Sequence, residues 1–481
     1  VQPTITIDIG TTSVKLCMFG ADGLLLSSAR QDTPTTADAW GEVYDLTSLR
    51  AAVVGFIQSL PPAQRGLAKR IAITGVGESG GLVRPDLTLA SPMILWHDHR
   101  GADRLAALGP AERSEITRIT GLPVNANYGL SKVAWAVEEA GAAVDGAQWL
   151  NIAEYLAALM TGKRWSEFSL ASRTMALDLR SGSWSVAVCG LLGVGTEVFP
   201  ELRSAGEGSR IGRGFAEEAG LLDDVQVHVA GHDHMVGAVG AELGRGELLN
   251  STGTTEGLLF LREEPYLEDG AEHLKLASGI SCTGEDFTLF ASIPTGGSAF
   301  ASLQSMLGLS AAQLSACITV LHERYLAGGV RWDEIPLVLP QFRGSPPPGK
   351  DAKARGVITG LGTGTSAEDI VLGCFLGMVL QFRDVLELFP SRPERLKVIG
   401  PASRNPLWLQ LKADLLGMPL SVSGFPEVVS RGAQALASGL PGDWDGCEPV
   451  DLPVNAIRAV DLNQWAAEVR PRWEYMKGVP A

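Results

Sequence analysis

Gly10-Thr11-Thr12 and Gly253-Thr254-Thr255 are one triplet occurring twice, about half the chain apart. The first copy follows Ile5-Thr6-Ile7-Asp8-Ile9 and leads into apolar residues 16–19. The second follows Leu248-Leu249-Asn250-Ser251-Thr252 and leads into 258–261. Each reads as strand, tight glycine turn, strand. Such a turn offers backbone N–H groups and hydroxyls to an anion, and glycine lets the backbone come close. Two such turns suggest a clamp on a polyphosphate, with Gly10, Thr11 and Thr12 on one side and Gly253 and Thr254 on the other. Two residues before its glycine the first copy has Asp8, and the second has Ser251. A carboxylate beside phosphates needs a cation between them, so Asp8 is the candidate Mg²⁺ holder, through water.

Asp233 is the candidate catalytic base. The pattern puts it between a strand at 225–230 and a helix from 235, at the tip Gly231-His232-Asp233-His234. Loops at strand ends meet ligands in α/β sheets, and a helix N-terminus favours the ionised carboxylate. Phosphoryl transfer needs such a group to orient the acceptor hydroxyl and take its proton. A plain N-cap aspartate would occupy the same address. The triplets His97-Asp98-His99 and His232-Asp233-His234 also allow a metallohydrolase reading, in which four histidines gather around a metal. Gly400, Ser403 and Asn405 lie in a strand-to-helix loop of small residues, where a flat base could rest against the backbone. The plain alternative is an αβ connection with Asn405 before a proline at N1. Glu78, Trp96 and Asp98 suit a polyol, since hydroxyls bond carboxylates and C–H faces pack on an indole. Surface charge and an edge tryptophan would look alike.

These residues need two related scaffolds to hold them. Strands at 4–30 turn at Ala21-Asp22-Gly23, a helical spacing runs from Leu46 to Leu60, and a short strand at 71–74 ends at Gly75-Val76-Gly77-Glu78. Strands and helices alternate to about residue 245. The second glycine hairpin then restarts the plan, with helices near 299–309 and 367–389, a strand at 395–399 and a helix at 406–416. The reading is an α/β chain of two related domains, 1–245 and 246–481, with a cleft between them. The proline-rich stretch 344–349 reads as a rigid, exposed loop.

Composition narrows the partners. The 481 residues exceed one ordinary core, and the formal net charge of −15 argues against nucleic acid. The six cysteines are scattered without a CxxC pair, which fits reduced thiols in the cytoplasm. No basic or apolar leader opens the sequence, and the longest apolar run, 370–382, is too short to span a bilayer. No membrane association is expected.

Taken in order, the motifs resemble the FGGY carbohydrate kinases of the actin/Hsp70/hexokinase-like superfamily, over nearly the whole chain. Asp8-Ile9-Gly10-Thr11-Thr12-Ser13 is similar to the family's first phosphate motif. Trp96, Asp98 and Arg100 resemble its W-x-D-x-R segment, Lys132 and Trp135 its K-x-x-W helix, and Ser169 to Thr174 its S-x-A-S-R-T stretch. Gly231 and Asp233 resemble the catalytic segment, Ser251 to Thr254 the second phosphate motif, and Gly400, Ser403, Asn405, Trp408 and Gln410 the adenosine motif. The resemblance implies two actin-like (ribonuclease H-like) domains and ATP-Mg²⁺ across a cleft. It also implies transfer to a small sugar, a ketopentose such as xylulose or a related polyol, with Asp233 as base and with homodimers common. Glycerol, tetritol or gluconate-type acceptors are the alternatives within the family. An actin-like nucleotide-switched ATPase without sugar turnover is the alternative outside it.

The departures bear on the nucleotide loop, on closure of the cleft and on the acceptor. Pro401 replaces a common glycine, Glu154 and Glu167 stand where many members have Asp, and Arg343-Gly344-Ser345-Pro346 replaces a G-E-R-x-P loop. Gly77-Glu78-Ser79-Gly80 keeps the Glu of the glycerol kinase Arg-Glu pair without its Arg, and its glycines are expected to leave room for an acceptor longer than glycerol.

Overall fold

Two antiparallel hairpins seed two sheets of the same plan. The computed structural model describes residues 1–268 and 271–479. In the first lobe the strands are β1 (Thr4–Ile9), β2 (Ser13–Phe19), β3 (Leu25–Asp32), β4 (Arg70–Gly75), β5 (Ser209–Arg210) and β6 (Gln226–His232), in the order β5-β6-β4-β1-β2-β3. The second lobe has β7 (Glu247–Thr252), β8 (Glu256–Arg262), β9 (Ala277–Ile280), β10 (Phe287–Ile293), β11 (Arg395–Ile399), β12 (Leu420–Val422) and β13 (Val450–Leu452), in the order β9-β10-β8-β7-β11-β12-β13. In each, an antiparallel β1-β2-β3 or β7-β8-β10 meander continues into two parallel strands, β4 and β6 or β11 and β12. β1 is buried along its whole length and alternates Ile5, Ile7 and Ile9 with the polar Thr4, Thr6 and Asp8.

The helices follow their local signals. α1 (Leu46–Ser59) is capped by Asp45, whose Oδ1 accepts the Ser48 N–H at 3.0 Å, and it buries Leu49, Val53, Phe56 and Ile57. Further along lie α2 (Gly129–Ala140), α3 (Ile152–Thr161), α4 (Asp233–Gly240), α5 (Ser298–Leu307), α6 (Ala311–Leu326), α7 (Ala367–Leu386), α8 (Pro406–Leu416) and α9 (Val428–Ser438). α8 starts on Pro406 behind an Asn405 cap and stops at Gly417, which is left-handed at φ 62°. The proline-rich loop differs from expectation: Pro346 and Pro347 are buried and Pro348 is exposed. Its apolar rings find cover.

Helix α9 belongs by sequence to the second half but packs on β1, β4 and α4 of the first. α4 and α9 cross at glycines. A Cβ on Gly240 would come 2.1 Å from the Val428 carbonyl oxygen, and one on Gly432 would come 2.1 Å from that of Val236. Residues 77–205, inserted between β4 and β5, build the outer wall of the first lobe and carry Trp96, Asp98, Tyr128, Lys132 and Arg173.

Two carboxylates are deeply buried in that insertion. Glu154 closes a capping box at α3 with the Asn151 N–H and accepts from the Ser166 hydroxyl at 2.6 Å. Glu167 is fully buried nearby, and its backbone N–H reaches Glu154 Oε1 at 3.1 Å. Burial pushes Glu154 up to about 7 and Glu167 up to about 8. The native chain therefore holds protons there that an unfolded chain releases near an ordinary Glu value of ~4.3. That contribution to stability is complete below this value and is lost as pH rises through the folded values. The expected result is that Glu167→Gln, which mimics the neutral acid, loses less melting temperature than wild type between pH 5 and pH 9. Parallel pH profiles for the two proteins would show that Glu167 is not titrating there.

Candidate active site

Asp233 is the first residue of α4, immediately after β6, with His232 as the extended N-cap. Its side chain is 24 % exposed. Oδ1 accepts the His234 N–H at 2.7 Å and lies 3.3 Å from His232 Nε2. Burial, the Arg173 charge and His234 push the His232 pKa well down, so that imidazole is neutral. Burial raises the Asp233 pKa above the usual carboxylate range, the nearby Asp8 and Glu78 charges raise it further, and His234 opposes them.

The other candidate carboxylates each hold a strong cation. Asp8 and Lys15 are directly opposed across the β1-β2 hairpin, and Lys15 Nζ lies 3.1 Å from Asp8 Oδ2. Lys15 also comes within 3.8 Å of Glu427 at the start of α9. Glu78 Oε1 accepts from Arg173 Nε at 2.9 Å and Nη2 at 2.6 Å. Asp98 Oδ2 accepts from Arg100 Nε and Nη2 at 2.9 and 2.7 Å, and Arg100 also reaches Asp38 at 3.0 Å. Among the described residues, Asp233 alone of these four acids has no Lys or Arg ion pair.

The glycines around Glu78 do not leave the expected room. A Cβ on Gly77 would meet Arg173 Cγ at 2.7 Å and His232 Cδ2 at 2.8 Å, and one on Gly80 would meet the Trp149 ring at 2.5 Å. Neighbouring side chains fill the gaps. The guanidinium missing beside Glu78 in sequence is supplied in space by Arg173, stacked on Tyr128 and Phe290 at 5.1 and 5.6 Å from the ring centroids. Lys132 is fully buried and donates to the Ala126 and Asn127 carbonyls at 3.0 and 2.6 Å, fixing the chain before Tyr128.

The two Gly-Thr-Thr turns are held from outside. Trp96 Nε1 donates to Thr11 Oγ1 at 3.0 Å, and the Thr33 hydroxyl donates to the Gly10 carbonyl at 2.8 Å; Thr11 and Thr12 are exposed. In the second turn, Gly257 stands opposite Ser251 where Lys15 stands opposite Asp8. Its missing side chain makes room for His234, whose Nδ1 lies 2.7 Å from Ser251 Oγ. The Asp233 segment thus joins the second turn by this bond and feels the first through Asp8.

Gly253 and Thr254 open onto a cavity of about 740 Å³, shared with Gly297, Arg343, Pro401, Ala402, Arg404 and Asn405. Asn405 Oδ1 caps α8 through the Trp408 N–H at 3.1 Å, while its buried Nδ2 has no partner. Ser403 does not line the cavity: its hydroxyl donates to the Gly400 carbonyl at 2.6 Å and closes its own turn. Gly400 lies against Thr252, whose carbonyl oxygen a Cβ would meet at 2.9 Å. Gly296 and Gly297 were not anticipated; their N–H groups bond the Thr254 and Gly253 carbonyls at 3.2 and 2.8 Å, backing the turn.

For a divalent cation, Asp8 Oδ1 is buried without a hydrogen-bond partner. Among the described residues no group of three or more His, Cys, Asp or Glu converges. A cation at Asp8 would therefore take its remaining ligands from phosphates and water, as Mg²⁺ does. The two H-D-H triplets do not pool their histidines. His99 pairs with Asn127 at 2.6 Å, and His234 pairs with Ser251.

Residues 4–240 match the model for the N-terminal domain of the FGGY family of carbohydrate kinases, and residues 248–439 match that for the C-terminal domain. The chain belongs to the FGGY family. A glycerol kinase of Enterococcus casseliflavus is 28 % identical over 475 residues, covering 92 % of this chain and 88 % of that protein. A xylulose kinase of Lactobacillus acidophilus superposes with a TM-score of 0.87 at 17 % identity, covering 99 % of each chain. A gluconate kinase of the same organism gives 0.84 at 18 % identity, with 98 % of each covered. As an FGGY kinase the chain is a phosphotransferase with an alcohol acceptor on an actin-like fold. Membership sets aside the metallohydrolase and the switch ATPase without sugar turnover. Glycerol, xylulose and gluconate kinases all resemble it, so the fold does not name the acceptor. Among the described residues no single helix is long and apolar enough to cross a membrane.

Proposed function

We propose that this FGGY kinase transfers the γ-phosphoryl group of ATP to a hydroxyl of a ketopentose such as xylulose, or a related polyol, in the cytoplasm, with Asp233 as base. The observation that carries this reading is the bare carboxylate of Asp233, where Asp8, Glu78 and Asp98 are each paired with a Lys or Arg. A carboxylate locked to an arginine is a poor proton acceptor, because the cation stabilises its ionised form. Asp233 orients the acceptor hydroxyl and takes its proton. Thr11, Thr12, Gly253 and Thr254 hold phosphates, and adenosine occupies the cavity at Pro401 and Asn405. Mg²⁺, held through Asp8, supplies charge neutralisation at the transferring group. Lys15 faces the same region and adds positive charge. Glu78 with Arg173 forms the acceptor wall, offering both a hydrogen-bond acceptor and donors to hydroxyls.

An aldonate of the gluconate type is the second reading, favoured by Lys350. Its ammonium feels Arg173 and Lys275 as well as Glu78, and burial beside these cations pushes it down to about 8. A carboxylate on the acceptor would relieve that repulsion. ATP consumption by purified protein with ketopentoses, pentitols, tetritols, glycerol and aldonates separates the two readings. Turnover with xylulose but not gluconate supports the first, and the reverse supports the second. ATP consumption indifferent to every acceptor would defeat both.

Asp8→Ala is expected to raise the Mg²⁺ concentration needed for half-maximal rate by roughly 10-fold or more, with a smaller change in acceptor KM. A Mg²⁺ titration at saturating acceptor measures this, and an unchanged metal response removes Asp8 from the role.

A further inference from the structure

β6 does not run straight into the catalytic residue. Its pairing with β4 slips between Val229 and Gly231, and Gly231 sits at φ 120°. A bulge of this kind re-aims the following side chain, and it leaves a backbone N–H without its ladder partner. The pairing skips Ala230, and two residues on the His232 N–H bonds a side chain. It donates to Ser169 Oγ at 2.9 Å, from a residue 63 positions earlier.

The Ser169 hydroxyl is itself fully committed. It donates to Glu167 Oε2 at 2.5 Å and accepts from Cys282 Sγ of the second lobe at 3.4 Å, in addition to His232. Glu167 Oε2 also takes the Ser169 and Leu170 N–H groups at 2.9 and 3.1 Å. Glu167, Ser169, His232 and Cys282 are all buried. A Cβ on Gly231 would come within 2.8 Å of Ser169 Oγ, Cys282 Sγ and Glu167 Oε2, so the cluster closes on the bulge itself.

We propose that Glu167 and Ser169 are positioning residues for Asp233, acting through the His232 amide. The hydroxyl fixes where the bulged strand ends, and the carboxyl fixes the hydroxyl. The next residue is Asp233, which is too short to correct an error in its own backbone. Both Glu167 and Ser169 are buried and act on Asp233 through protein groups alone. The inference rests on Asp233 being the base.

Ser169→Ala is expected to lower kcat by roughly 10- to 100-fold, as displacing a reacting group by about 1 Å does, with the ATP dissociation constant within about twofold. Glu167→Leu is expected to lose a similar factor, and Glu167→Gln, which can still accept from Ser169, to recover most of it. Unchanged kcat in Ser169→Ala would overturn the proposal, as would a Glu167→Gln variant no better than Glu167→Leu. Should Ser169→Ala fail to fold, the Glu167 pair decides the matter. Asp233→Asn run alongside separates the two ideas. Normal turnover there defeats the base assignment. A dead Asp233→Asn beside a normal Ser169→Ala defeats only the positioning role.

Discussion

Asp233→Asn is expected to lose at least ~10²-fold in kcat, and up to ~10⁴-fold, while nucleotide affinity stays near normal. The substitution is close to isosteric. An asparagine Oδ1 can still accept the His234 N–H, so the start of α4 need not move. What disappears is the proton acceptor, and nothing else nearby can replace it. His232 is neutral but buried, and it faces Asp233 rather than open space. Asp8 and Glu78 carry Lys15 and Arg173. The same geometry sets the pH dependence. The base works ionised, and its pKa is raised by burial and by the Asp8 and Glu78 charges. Activity should therefore fall on the acid side through a value above that of an ordinary aspartate. Steady-state kcat with a separate nucleotide-binding measurement tests the claim, and near-normal turnover removes Asp233 from the mechanism.

The parts legible in the sequence are those written locally. The paired Gly-Thr-Thr turns, the strand Arg395–Ile399 and the helix Pro406–Leu416 each carry their signal within a few residues, through glycine, proline and an Asn cap. The Ser310/Gln313 capping box of α6 is equally local. The site's charge pairing was not legible, because its partners are distant in sequence. Arg173 reaches Glu78 across 95 positions. A glycine beside a functional residue says only that something comes close. At Gly77 and Gly80 that something is protein, not acceptor. Ser403 does not line the cavity for a related reason: a hydroxyl in a tight turn finds the turn's own carbonyl first. Lys15 is legible from the hairpin register, since a turn centred between Thr11 and Thr12 sets it opposite Asp8.

Lys412 is where the largest stability effect is expected. It is completely buried on α8, and its ammonium donates to Asn250 Oδ1 at 2.5 Å and pairs with Glu256. It also lies over the rings of Phe382 and Trp408, 4.3 and 4.5 Å from their centroids. Asn250 and Glu256 flank the second Gly-Thr-Thr turn, so one cation ties that turn to the helix leading from the Asn405 cavity. Lys412→Met keeps the stem's packing but strands the Glu256 charge, and removing one partner of a buried pair costs about 3–5 kcal/mol. Denaturant unfolding should show the second lobe losing that much, with nucleotide affinity weakened because the turn loses its anchor. Adding Glu256→Gln removes the stranded charge, so the double variant should be more stable than Lys412→Met alone. If the double variant is no more stable than the single, the loss comes from packing rather than from charge, and the anchoring role passes to the aromatic rings.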